Sequence, residues 1–158
     1  ERYSDAYNAL KALEPKIKSA EALSMVRLRL SDALLMADAN GSDKPGTPEE
    51  GLRLLEGIMA GDGYSPGLYE AFYKWRTMTQ SELHGMSNTS DIPNKEYNKR
   101  RWEAIQRVKG YAAEHPDDRW AKAQEDLLWA LPNIQRGGPM GNDNLVHWGS
   151  LYAKLKAS

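Results

Sequence analysis

Apolar residues along this chain recur every three or four positions, and alternation with a period of two does not persist anywhere. Helical spacing links Tyr3, Tyr7, Leu10 and Leu13, a first segment of about Tyr3 to Glu14 that Ser4 or Asp5 would cap. A second segment, about Pro15 to Ala39, carries Leu23, Val26, Leu30, Leu34 and Ala37 on one face and Met25, Leu28 and Leu35 on another. Apolar residues on two faces predict a helix packed between neighbours. Thr47-Pro48-Glu49-Glu50 is a capping box with proline in the first helical position. It opens a helix with the stripe Leu52, Leu55 and Met59, which closes at Gly61-Asp62-Gly63. Ser65-Pro66 opens the most aromatic segment, with Leu68, Tyr69, Phe72, Tyr73 and Trp75, fading near Glu82 to Gly85. Asn94 caps a helix to about Glu114, with Trp102, Ile105, Val108 and Ala112 on one face. After the turn His115-Pro116-Asp117-Asp118 comes a helix with Trp120, Ala123, Leu127 and Leu131, and a last one carries Leu145, Trp148, Tyr152 and Leu155. Tyr69, Phe72, Trp102, Trp120 and Leu127 are the expected core side chains, because each lies on such a stripe.

Pro15, Pro66 and Pro116 lie 51 and 50 residues apart. Each leads into a periodic segment, a long polar loop and a second periodic segment. A repeat of this kind predicts helical hairpins stacked side by side. The expected fold is all-α: about three antiparallel hairpins after an N-terminal helix, forming one domain over residues 1–158. The pairs would be 15–39 with 48–60, 66–83 with 95–114, and 117–131 with 145–156.

Two stretches carry a family resemblance. One is His115-Pro116-Asp117-Asp118 followed by Trp120-Ala121-Lys122-Ala123; the other is Pro48 to Glu56, leading through a Gly-Asp turn to Ser65 to Ala71. They resemble tetratricopeptide repeats. The family period is 34 residues, against about 50 here, and the excess lies in the loop inside each hairpin. The resemblance implies hairpin stacking and a protein-binding or scaffolding role, and transfers no ligand-binding residue.

Composition narrows the partners. With 21 Lys+Arg against 22 Asp+Glu, the net charge of −1 offers no general attraction to nucleic acid or anionic membrane. Lys95, Lys99, Arg100, Arg101, Arg107 and Lys109 make one helix basic, but Glu96 and Glu103 interleave, as on a solvated face. No apolar run approaches a membrane span, and a soluble domain is expected. There is no cysteine, hence no disulfide, thiolate metal site or cysteine nucleophile. The chain begins at Glu1 without Met; the expectation is that a segment upstream has been removed, which leaves cytoplasmic and extracytoplasmic locations both open.

Candidate chemistry gathers in the loops. Equivalent loops of stacked hairpins emerge on one edge, so 40–47, 84–94 and 132–144 should cluster, and long loops on a rigid scaffold are where binding residues concentrate. The expected ligand-binding set is His84, Asn88, Arg136, Asn142 and Asp143, contributed by the second and third loops. Arg136 and the glycines that follow it would offer a guanidinium and backbone N–H groups to an anion. A metal site from Glu82, His84, Asp143 and His147 matches no ligand spacing, Glu82 with Asp91 or Asp143 has no defined separation for a hydrolytic carboxylate pair, and no Gly-x-Ser-x-Gly occurs. No catalytic residue, metal or cofactor is therefore assigned. The preferred reading is a non-enzymatic module that engages a protein, peptide or small ligand. The alternative is a small hydrolase or other enzyme with a polar site formed by loops 84–94 and 132–144.

Overall fold

The computed structural model describes residues 2–39, 43–85 and 94–131. Among them every regular element is helical: α1 (Tyr3–Leu13), α2 (Ala20–Ala39), α3 (Pro48–Ala60), α4 (Leu68–Gly85), α5 (Asn94–Glu114) and α6 (Arg119–Ala130), with a single 3-10 turn at Glu14–Lys16. The protein is all-α in its described part, and none of these helices is long and apolar enough to cross a membrane. Contacts gather in two compact units, Glu1–Met78 and Thr79–Ser158, whose boundary falls inside α4.

In the first unit α2 is the central element. Its start departs from the sequence expectation. Pro15 lies in the 3-10 turn, and Ile17, which follows that turn, is extended at φ −81° and ψ 125°. The helix therefore begins at Ala20, where Ser19 Oγ accepts from the Ala22 N–H at 3.3 Å. At the start of α1 the expected caps are also displaced: Arg2 occupies the cap position without a side-chain bond, and Asp5 in the first turn pairs with Arg2 instead.

The two apolar faces of α2 are both used. Val26, Leu28, Leu30, Ala33, Leu34, Leu35 and Ala37 are buried, and α1 and α3 pack against this helix. α3 runs antiparallel to it. Gly51, early in α3, lies against Leu34 and Leu35, while Gly57 to Gly61 face Ala20 to Arg27 across a cavity. The capping box at the start of α3 forms as expected: Glu50 N–H donates to Thr47 Oγ1 at 3.3 Å, and Thr47 N–H donates to Glu50 Oε2 at 2.9 Å.

α4 runs parallel to α2 in this unit. Ser24 meets Ser65 at 2.5 Å, and Arg29 donates to Glu70 at 3.0 Å. One turn further, Lys74 pairs with both Asp32 and Glu70. Glycine at residue 67 eases this close approach, since a Cβ there would lie 2.9 Å from Leu28 Cδ2 and 3.0 Å from Met25 Sδ and push those side-chain ends aside. α4 also joins α3, because Trp75 Nε1–H donates to Glu56 Oε1 at 3.0 Å. Burial raises the Glu70 carboxyl, but hydrogen bonds from Lys74 and Arg29, with their charges, hold it below its ordinary range. Glu14 is also lowered, by hydrogen bonds from Arg27 and Lys11, and ties the turn after α1 to α2.

In the second unit α5 and α6 are antiparallel. Residues 101 and 102 of α5 meet residues 128 and 129 of α6. In the short connection, His115 stacks on Tyr111 at 4.0 Å and Asp118 caps α6 by accepting from Ala121 N–H at 3.0 Å. The buried side of α5 carries Tyr97, Arg101, Ala104, Ile105, Val108 and Ala112. α6 buries Ala121, Gln124, Leu128 and Ala130, and Leu131 just beyond its end is buried too.

Two expected core residues are corrected here. Trp102 is 51% exposed and Trp120 is 44% exposed. On α5 the buried positions recur at three, four and seven, and Trp102 lies roughly a third of a turn from their middle at about 100° per residue. On α6 the buried stripe 121, 124, 128 and 131 is the expected one moved by a residue at three of its four positions. Phe72 is fully buried as expected, while Tyr69 and Leu127 are half-buried.

Candidate functional site

The sequence-derived binding set has one member among the described residues. His84 lies in the last turn of α4, since the helix continues to Gly85. Asn88, Arg136, Asn142 and Asp143 lie outside the described residues, as do Asp91 and His147. Among the described residues no group of three or more His, Cys, Asp or Glu side chains is arranged to hold a metal ion.

A different surface takes shape on α5 and α6. It begins with Arg101. The sequence reading assigned this residue to a solvated basic face, yet it is only 8% exposed. Its Nη1 donates to the Leu128 carbonyl at 2.8 Å and to the Trp129 carbonyl at 3.5 Å. The last carbonyls of a helix have no partner within it, and the negative end of the helix dipole lies there. A guanidinium from the neighbouring helix meets both needs. It also fixes the last turn of α6 against α5 at a definite height.

That contact sets the two side chains next in sequence. Trp102, beside Arg101 on α5, meets Trp129 on α6 edge-to-face, with ring centroids 5.3 Å apart and planes at 77°. Trp129 is 36% exposed. Such a pair is the arrangement that aromatic quadrupoles prefer. It presents the face of one indole and the edge of another at the surface, with Lys99 and Glu103 3.9 Å apart on the same helix. Chemically this surface can stack on, or bury, an apolar group and donate an indole N–H; among the described residues it carries no nucleophile with a base beside it. Sequence periodicity missed it because a tryptophan at the margin of a stripe reads as part of the stripe.

A second concave feature belongs to the first unit. It is a cavity of about 190 Å³ between the start of α2, the end of α3 and the turn Gly61–Ser65.

The chain was compared with family models, curated proteins and solved structures, and it matches none of them.

Proposed function

We propose that this protein is a non-enzymatic binding or scaffold module of tetratricopeptide-like helical hairpins, and that its partner is a protein or peptide. The observation that carries this reading is the exposed Trp102–Trp129 pair. Tryptophan is enriched among the residues that dominate binding energy at interfaces, and two of them already packed edge-to-face would lose less freedom on binding than two separate side chains. The hairpin part of the reading draws support from the first unit. There α2 and α3 form an antiparallel pair with α4 lying parallel to α2, as when the next hairpin stacks on the last.

A peptide-library selection tests the proposal. Peptides enriched on the wild-type protein should contain an apolar or aromatic anchor. They should bind the Trp102→Ala/Trp129→Ala protein at least about tenfold more weakly, which is about 1.4 kcal/mol. Equal binding to both proteins would remove the aromatic surface from the proposal.

A further inference from the structure

The cavity of the first unit holds opposite charges that do not meet. Arg27 and Asp62 both line it. Arg27 donates through Nε to Glu14 Oε1 at 3.0 Å, and its two terminal nitrogens have no partner among the described residues. Asp62 makes no ion pair there either. The rest of the lining is largely apolar, with Leu23 and Ile58 on facing helices.

The hydroxyl protons of the floor are already committed. Gly67 N–H donates to Ser65 Oγ at 3.1 Å, and Ser24 Oγ–H donates to the Glu21 carbonyl at 2.7 Å. The 2.5 Å contact between the two hydroxyls is then donated by Ser65. Arg27 and Asp62 are the charged residues of the lining.

Gly57 keeps the space open. A Cβ placed there meets nothing within 4 Å, so no close neighbour requires glycine at a helical position where glycine is unfavourable. Space of about 190 Å³ is roughly six water volumes at ~30 Å³ each. It is smaller than the roughly 300–1,000 Å³ of sites for drug-sized ligands.

We infer that this cavity binds a small apolar α-amino acid as its zwitterion. The ligand carboxylate pairs with the free terminal nitrogens of Arg27, its ammonium pairs with Asp62, and its side chain lies against Leu23 and Ile58 over Gly57. A guanidinium is suited to a carboxylate because it can present two parallel N–H donors. Neither a simple carboxylate nor a simple amine would use both charges. This site is independent of the aromatic surface of the second unit.

Amide-proton NMR titrations of the full chain test it, with L-leucine, isocaproate (which lacks the ammonium) and leucinamide (which lacks the carboxylate) as probes. Leucine should shift the amides of residues 57–65 saturably, and each analogue should bind at least about tenfold more weakly. Asp62→Asn should weaken leucine and leave isocaproate unchanged. Arg27→Gln should weaken leucine and leave leucinamide unchanged. Gly57→Leu should fill the cavity and abolish the shifts; if it unfolds the protein, the two charge variants carry the test, since both residues are exposed. Absence of saturable shifts, equal binding of leucine and isocaproate, or full leucine binding by a folded Gly57→Leu protein would each overturn the inference.

Discussion

Arg101 shows how much one side chain can decide. Its guanidinium is buried against the last carbonyls of α6, so removing it leaves buried acceptors unsatisfied. Arg101→Ala should cost about 1–3 kcal/mol, read as a lowered denaturant midpoint. A change under about 0.5 kcal/mol, as at an ordinary surface site, would mean that the contact does not matter. The glycines give predictions of opposite sign. At Gly110 a Cβ meets nothing within 4 Å, and Gly110→Ala should stabilise α5 by about 0.4–1 kcal/mol. At Gly67 the new methyl would press on Leu28 and Met25, so Gly67→Ala should lower stability. These distinctions lie beyond sequence reading. Arg101 sits in a run of basic residues, and nothing in that run marks which one turns inward.

At the scale of elements, legibility depended on whether the signal was local. Thr47, Pro48 and Glu50 act within one turn, and the helix they predict starts where expected. Thr47→Ala should cost about 0.5–2 kcal/mol by loss of the cap, measurable as a fall in melting temperature. The α6 stripe is set by packing against α5, and spacing alone admitted a register shifted by one at three of the four positions. Gln124 decides between the registers: it is fully buried, which an apolar pattern does not anticipate. Pro15 could stop one helix or start the next, and it lies in the turn between them. The charged contacts joining elements predict a pH response. Glu14 and Glu70 have folded pKa values below their ordinary range. Their stabilisation is therefore complete above the unfolded carboxylate pKa of about 4.3 and is lost as pH falls through the lower folded values. The double variant Glu14→Gln/Glu70→Gln should show a flatter acid limb in melting temperature against pH; an unchanged limb would contradict the assignment.

For the molecule as a whole, helical class was readable from period and composition, because Leu, Ala, Met, Glu and Lys dominate and alternation is absent. The site was less readable. His84 falls on a helix, and its expected companions lie outside the described residues. The surface that supports the functional proposal instead arises where Arg101, from within α5, holds the last turn of α6, a tertiary effect. The most direct measurement is paired. Stability and peptide binding are determined for the Trp102→Ala/Trp129→Ala protein, with Phe72→Ala as the core reference. The account predicts that the double variant loses little beyond the roughly 0.5–1.5 kcal/mol of the ring contact while peptide binding falls at least about tenfold. Phe72→Ala should cost about 3–5 kcal/mol. If the tryptophan variant is destabilised as severely as Phe72→Ala, or binds the selected peptides as the wild type does, the aromatic surface is not the binding site.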